Sequence, residues 1–493
     1  MNKDAIIVEL KDENAVLKEQ IFYLKAQHER LMKLIQGFKS ERFVPQAPLI
    51  NQPTLFETPE AVPVEKEETT KVTYERKKTK HKGRNPLPEH LPVEEITIEP
   101  IEDTTGLKKI GEEITETLKY TPASLVKKRT IRPKYAKANS KGVLIAPLPD
   151  RPINKGIAEA SLLAHILVNK FIDHLPFYRQ IQIFKREFGW EVSKSTLNDW
   201  MAACTKLLEP LYEKMLEQIL SSGYVQADES PIKVLDSEKK GKAHQGYMWV
   251  YYTPVNKIVI FNYRKGRGQH GPKEILKNYQ GFLQVDGYTV YDKIAKLNSS
   301  IELAGCLAHV RRKYFDSKDE HPERAKFVLN LIRDIYLQER ELKQTNSTPE
   351  EKTAYRKEHL NPIMNKWWNW METQSTVVLP KSKLGKALTY TINQWHKIQT
   401  IVNNGSLELD NNLIENSIRP LALGRKNYLF AGSHSGAKRI AILYSMLATC
   451  KKNNVNPYLW LEDVLTRLPN QSIQNLDELL PTKWTASAKE LDV

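Results

Sequence analysis

Cysteine is nearly missing from this chain. Three residues in 493, Cys204, Cys306 and Cys450, are scattered too widely for a disulfide framework. That excludes the small oxidised scaffolds and fits a reducing compartment. Long apolar runs are missing too: no stretch approaches the roughly 18 residues needed to cross a bilayer, and no membrane partner is expected. The amino terminus is charged and periodic rather than leader-like. Acid is in deficit, since 59 Asp and Glu face 74 Lys and Arg and leave a formal charge of +15. A polyanionic partner follows, although charge alone does not separate DNA, RNA and an anionic membrane. The length exceeds what one hydrophobic core organises, so several domains are expected.

What is present divides the chain. Over residues 5–37, Leu10, Leu17, Leu24 and Leu31 recur every seven positions, with Ile7, Asn14, Ile21, His28 and Ile35 at the other core position. Ile and Asn there with Leu at the partner position favour a parallel two-stranded coiled coil, hence a homodimer, with Asn14 fixing register and Glu13 and Lys18 placed to pair across strands. A single amphipathic helix packed on its own protein is the other reading. Residues 38–86 read as a linker, rich in Pro and Glu at first. It ends in a run of seven Lys or Arg between Lys71 and Arg84 against the single acid Glu75. Such a run serves equally as a solvated tail or as a tracker of phosphates. Residues 87–145, with alternation at Ile96 and Ile98 and again at Ile114, Leu118 and Tyr120, suggest a small β-rich module.

Residues 150–220 are helical in pattern. Phe177 to Phe188 forms one segment, Gly189-Trp190-Glu191-Val192 a turn, and Ser193 to Ala203 a second helix with Ser193 as its cap. In a basic protein this matches a helix-turn-helix, although any helical hairpin looks similar. Lys194, Ser195, Thr196 and Asn198 would then face a DNA groove.

From 221 to 316 the pattern turns to strands at Tyr224–Ala227, Tyr247–Tyr252, Ile258–Tyr263, Phe282–Val285 and Ile301–Ala304, with a helix at Pro272–Lys277. A mixed α/β sheet is expected. Its first and fourth strands each end in an acid, Asp228 and Asp286, and would bring both to one sheet edge if they lie side by side. Residues 317–404 read as an all-α insertion, with Thr348-Pro349-Glu350-Glu351 as a capped helix start, Trp367, Trp368, Trp370 and Trp395 as core, and Gly405 as a stop. The sheet domain resumes over 405–450, and 451–493 form a helical tail. Asp410 caps a helix on which Leu413, Ile414 and Ile418 would be buried, while Asn411, Glu415 and Arg419 share the opposite face. Each acid alone would be an ordinary solvated residue. Together, two strand-end carboxylates and a third on a later helix can hold a pair of Mg²⁺ ions, and paired ions suit displacement at a phosphodiester. Arg311, Arg312, Lys313, Arg419, Arg425, Lys426, Lys438 and Arg439 crowd the same regions and would neutralise phosphates. Cys306 and His309 have a ligand-like spacing but no second pair nearby, and no zinc is expected.

At these residues the chain resembles the insertion-sequence-66 family of bacterial DDE transposases over nearly its whole length. The most specific stretches are the Asp228 and Asp286 strand ends, Cys306-Leu307-Ala308-His309-Val310-Arg311-Arg312-Lys313, and Asp410-Asn411-Asn412 through Glu415 and Arg419-Pro420 to Gly432. Gly83-Arg84-Asn85-Pro86 to Pro92 and the tail from Asn456-Pro457-Tyr458 to Pro469 also fit. The resemblance implies a ribonuclease-H-like catalytic fold with Asp228, Asp286 and Glu415 as its acids and an insertion between the last two. It implies a DNA transposase that cleaves element ends and transfers them into double-stranded target DNA with two Mg²⁺ ions, Mn²⁺ substituting. A cytoplasmic, nucleoid-associated protein with small accessory partners would fit. The family's amino-terminal module usually carries zinc-finger Cys pairs. Here Glu102–Gly106 and Tyr135–Gly142 contain none, so that module is expected to be metal-free. Two rivals stand: a non-catalytic DNA-binding dimer, which needs no carboxylate trio, and a metal-dependent nuclease without strand transfer.

Overall fold

The computed structural model describes residues 124–128, 131, 134–136, 143–145, 150–235, 242–345 and 347–485. All belong to the second of two compact units, Thr117–Val493. The expected zipper, the linker with its basic run and most of the β-rich module lie outside the described residues. Of that module, strands β1 (Lys134–Ala136) and β2 (Val143–Ile145) pair antiparallel with Tyr135 opposite Leu144.

Three helices come next. Helix α1 (Ala160–Phe171) is followed by α2 (Phe177–Phe188), which stops at Gly189, whose φ of 62° is the left-handed cap that glycine adopts without strain. Ser193 then accepts the Thr196 N–H at 3.0 Å and opens α3 (Lys194–Leu220). The sequence reading ended this helix near Ala203, but it runs on past Pro210. Its apolar face explains the difference: Leu197, Met201, Cys204, Leu208, Leu211, Met215 and Ile219 are all buried, which outweighs the hydrogen bond lost at the proline.

A five-stranded sheet is the centre of the fold, ordered β5-β4-β3-β6-β7. Strands β3 (Tyr224–Leu235), β4 (Ala243–Thr253) and β5 (Ile258–Arg264) form an antiparallel meander, and β6 (Gly281–Gln284) and β7 (Ile301–Ala304) add in parallel on the far side of β3. The short helices α4 (His270–Ile275) and α5 (Thr289–Leu297) provide the crossovers. The mixed α/β sheet is therefore as expected, with one correction. Asp228 does not end its strand; β3 continues for seven residues, paired throughout with β4. Pro231 lies within this continuation. Two and four residues further on, the Lys233 carbonyl and Leu235 N–H bond to Ala431 on the side away from β4. By the alternation of a strand, Pro231's missing N–H would point to that same side, so no ladder bond is lost.

Helix α12 (His434–Lys452) covers the β5 edge, where Thr449 Oγ1 accepts from Val259 N at 3.0 Å and Ser445 Oγ from Phe261 N at 2.8 Å. An open sheet edge is thus closed by hydroxyls on a buried helix. Helices α6 (Leu307–Asp316), α7 (Pro322–Gln344), α8 (Pro349–His359), α9 (Asn361–Val377) and α10 (Lys383–Val402) follow β7 and gather a second core around Trp367 and Trp395. The capping box of Thr348 and Glu351 forms as read. Helices α11 (Asn412–Tyr428), α12 and α13 (Pro457–Arg467) rejoin the first core. No helix among the described residues is long and apolar enough to cross a membrane.

Candidate active site

The parallel pairing of β3 with β6 sets the site. Gln226 lies opposite Gln284, and two residues beyond each comes an aspartate, Asp228 and Asp286. Strand β6 stops at Gln284, so β3 loses its partner on that side where the acids begin, while β4 still pairs on the other. The Glu229 N–H is taken by Asp228 Oδ1 at 2.7 Å. Asp286 Oδ1 accepts from Tyr288 N at 3.0 Å across Gly287, whose φ of 98° a side chain would resist, and the Asp286 carbonyl accepts from the Tyr390 hydroxyl on α10.

Beneath the aspartates is a buried amide network. Gln284 Oε1 accepts from Gln226 Nε2 at 2.8 Å and from the Tyr224 hydroxyl at 2.6 Å, while Gln284 Nε2 donates to the Gly305 and Glu408 carbonyls. Gln226 Nε2 also lies 3.2 Å from the Asp410 carbonyl, and Glu408 N donates to Tyr224 Oη. The network that fixes the strand register therefore also holds the segment entering α11, and with it Glu415. Asp410 accepts the Asn412 N–H at 3.0 Å and the Tyr336 hydroxyl at 2.7 Å, but it is not the cap that was expected: the cap position is Asn411, whose side chain makes no capping bond, and Asp410 stands one residue before it.

Asn411 differs from the reading. It is wholly buried rather than sharing a face with Glu415, because Cys306 Sγ donates to its Oδ1 at 2.9 Å. Cys306 and His309 thus act as a latch: His309 Nδ1 lies 3.3 Å from the sulfur, and its Nε2 is 3.8 Å from Glu415 Oε1. Burial drives the Cys306 thiol up to about 12, so it stays protonated.

Electrostatics tie the acids together. The Asp228 carboxyl is pushed up to about 8, chiefly by burial and further by the negative charges of Glu229, Asp286 and Glu415, against the stabilising Glu229 N–H. All three expected acids therefore lie in one electrostatic neighbourhood. Among the described residues, no three His, Cys, Asp or Glu side chains are drawn around a single point. Mg²⁺ does not require that: it takes one or two carboxylates and completes its shell with water and phosphate oxygens. An all-oxygen set with excess negative charge fits such an ion.

Sequence reasoning missed Glu229 and Arg267. Glu229 is raised by burial but held by Arg267, whose Nε donates to its Oε1 at 2.8 Å; its Oε2 is buried without a hydrogen bond. The guanidinium lies over the Tyr288 ring at 4.4 Å, half-exposed, so a cation is held on Glu229, the residue that follows Asp228. The two glutamines were missed as well, although a signal existed: Gly223-Tyr-Val-Gln-Ala-Asp and Gly281-Phe-Leu-Gln-Val-Asp repeat one pattern.

The other expected contacts fall in several places. Arg311 and Arg312 are exposed on α6 and line a cleft of about 520 Å³ with Phe315, Tyr336, Asp410 and Asn412. Arg419 and Lys426 are exposed on α11, whereas Arg425 is committed to the Ser230 hydroxyl and the Pro231 carbonyl. Lys194 and Ser195 are exposed at the start of α3, Thr196 is drawn into the cap with Ser193, and Asn198 folds back onto the Lys194 carbonyl.

Three family models match the chain: "Transposase IS66 family" over residues 155–439, "IS66 C-terminal element" over 445–482, and "Transposase C of IS166 homeodomain" over 23–96. Among curated proteins, y4jD of Sinorhizobium fredii is 33% identical, covering 95% of this chain and 96% of its own. The y4qI and y4hP proteins of the same organism are 32% and 29% identical, covering 81% and 94% of this chain and 77% and 89% of theirs; all three are described as uncharacterized. The chain belongs to the IS66 family of transposases, which gives it a role in DNA transposition.

Proposed function

We propose that Asp228, Asp286 and Glu415 form the catalytic centre of a DNA transposase that cuts element ends and joins them to double-stranded target DNA. The observation that supports this is the shared amide network, which ties the strand positions two residues before each aspartate to the chain that enters the Glu415 helix. The set fits two Mg²⁺ ions, with Mn²⁺ as a substitute, and the ions would supply charge neutralisation for in-line attack at a phosphodiester. Asp228 and Asp286 would hold them from the sheet and Glu415 from α11. Arg267, held by Glu229, is placed to meet a phosphate oxygen beside the acids, and Arg311, Arg312, Arg419 and Lys426 would carry the flanking backbone. Arg425 serves the fold more than the substrate.

The sheet with its surrounding helices would be a ribonuclease-H-like domain over 221–316 and 405–450, with residues 317–404 as the all-α insertion. In this reading residues 150–220 are a helix-turn-helix that docks DNA through Lys194 and its neighbours, and residues 5–37 join two copies so that two DNA ends meet. The homeodomain match over 23–96 supports a further DNA contact there. Incubation with duplexes of element-end sequence and Mg²⁺ tests the proposal. The expected result is nicked and then joined products, with Asp286→Asn losing both while still shifting the duplex on a gel. Binding without cutting would favour a DNA-binding dimer, cutting without joining would favour a nuclease, and activity surviving in Asp286→Asn would overturn the site.

A further inference from the structure

Helix α11 ends in an unusual way. Leu429 has φ 65° and ψ −45°, and the Phe430 N–H reaches back to the Tyr428 carbonyl at 2.7 Å. That is a γ-turn of the rare, strained hand, with a leucine at its centre where glycine would be free. Burial does not explain the leucine, because Leu429 is 62% exposed and Phe430 41% exposed. The turn is nevertheless held rigidly on both sides. Leu429 N donates to the Arg425 carbonyl, Arg425 is fastened to Ser230 and Pro231, and Ala431 bonds to Lys233 and Leu235 of β3. Two apolar side chains are thus kept in solvent on a stiff support.

Their surroundings name the partner. Arg179 of α2 donates to Asn427 Oδ1 at 3.2 Å, which places exposed Arg179 and Tyr178 of the helical hairpin at the same helix end, and exposed Lys426 and Arg419 lie on α11 itself. The turn therefore sits among cations where the hairpin meets the sheet. We infer that Leu429 and Phe430 form an apolar wedge that enters duplex DNA and unstacks one base step, as apolar side chains on basic surfaces do. This deepens and rests on the transposase reading. From Glu415 to Tyr428 the helix advances roughly 20 Å, so for a duplex laid along α11, at about 3.4 Å per base pair, the opened step lies about six base pairs from the phosphate at the carboxylates.

Duplexes of element-end sequence carrying 2-aminopurine at successive positions, mixed with the full-length protein in EDTA, test this. Wild type and Asp286→Asn should brighten the probe severalfold at a step about six base pairs from the cut, and Leu429→Gly and Phe430→Ala should lose most of that rise. Glycine is at ease at this φ, so Leu429→Gly should melt no lower than wild type. In a parallel assay with Mg²⁺ in place of EDTA, it should cut a duplex with a mismatch at that step as fast as wild type does, but a fully paired one several-fold slower. The wedge is overturned if wild type binds without brightening any step, if Leu429→Gly brightens the probe as wild type does, or if the mismatch gives no rescue. Cutting without unstacking sinks the wedge and leaves the transposase reading; unstacking without any cutting does the reverse.

Discussion

Replacing Asp228 with Asn should stabilise the metal-free protein while destroying its response to magnesium. Asp228 is partly buried among three other carboxylates, and its carboxyl is raised from 3.8 to about 8 by that burial and by those charges. The sign follows from linkage. Between pH 4 and 8 the folded state binds the proton that the unfolded state has lost, so stability falls as pH rises through that window and is level above it. At pH 7 the unfolded chain is about three units past its own carboxylate range, which bounds the cost at roughly 4 kcal/mol. Half of that is a realistic share after solvent and local relaxation, and a gain of about 2 kcal/mol would raise melting by roughly 2–3 °C in a compact unit as long as Thr117–Val493. An amide removes the charge, so melts in EDTA should show Asp228→Asn above wild type at pH 7.5 and converging toward it near pH 4. Mg²⁺ should raise wild type by several degrees, since an ion bound only by the folded state stabilises by mass action, and should barely move the variant. Equal Mg²⁺ shifts in the two proteins, or a variant that melts lower in EDTA, would refute both the electrostatic argument and the metal assignment.

Three further outcomes follow from other buried polar groups. Lys170 is buried 4.2 Å from the centre of the Phe177 ring, and desolvation, then Lys194, lowers its ammonium from 10.5 to about 8. The unfolded chain keeps that proton between pH 8 and 10.5, so stability should rise with pH across that window by up to about 3 kcal/mol; Lys170→Met should gain up to as much at pH 7 and lose the slope in denaturant titrations. Arg356, 1% exposed, binds both oxygens of buried Glu339 and the carbonyls of Ile401, Asn404 and Leu407. Arg356→Met should cost about 3–5 kcal/mol by stranding that carboxylate, and adding Glu339→Leu should restore part of the loss. Gln284→Leu strands partners on β3, at Gly305 and at Glu408, so about 2–4 kcal/mol should be lost, with end cleavage falling more than DNA binding because the Glu415 helix loses its anchor.

How much of this site could be read from the chain depends on which interactions are local. The acids were legible because each closes an apolar run of a strand, and the parallel pairing that the reading needed does occur between Tyr224–Gln226 and Phe282–Gln284. The extent of β3 was not legible. Pro231 breaks propensity, and only the neighbour strand and Ala431 reveal that its missing N–H faces a side with no ladder bond to lose. Glu415 was placed correctly on its helix, but Asn411 was not, since a spacing of four residues says nothing about Cys306, 105 residues away. Arg267 escaped for the same reason: its charge has meaning only against Glu229, 38 residues back in the chain. The cysteine–histidine spacing gave no role to either residue, and the contact of the buried protonated thiol with the Asn411 amide appears only in the fold.

The amide network carries the deepest consequence. Two glutamines at equivalent strand positions link the register of β3 and β6 to the chain entering α11, so the third acid is positioned by the same hydrogen bonds that align the first two. Gly281 makes this possible: a Cβ there would come within 2.2 Å of the Gly223 carbonyl. A bulkier residue at that point would push the strands apart, shift Gln284 from Gln226, and release Glu415 from the aspartates, although none of the three acids had been touched. The proposed catalytic geometry would thus be a property of strand pairing, and an insertion as long as α6 to α10 could intervene in sequence without disturbing it.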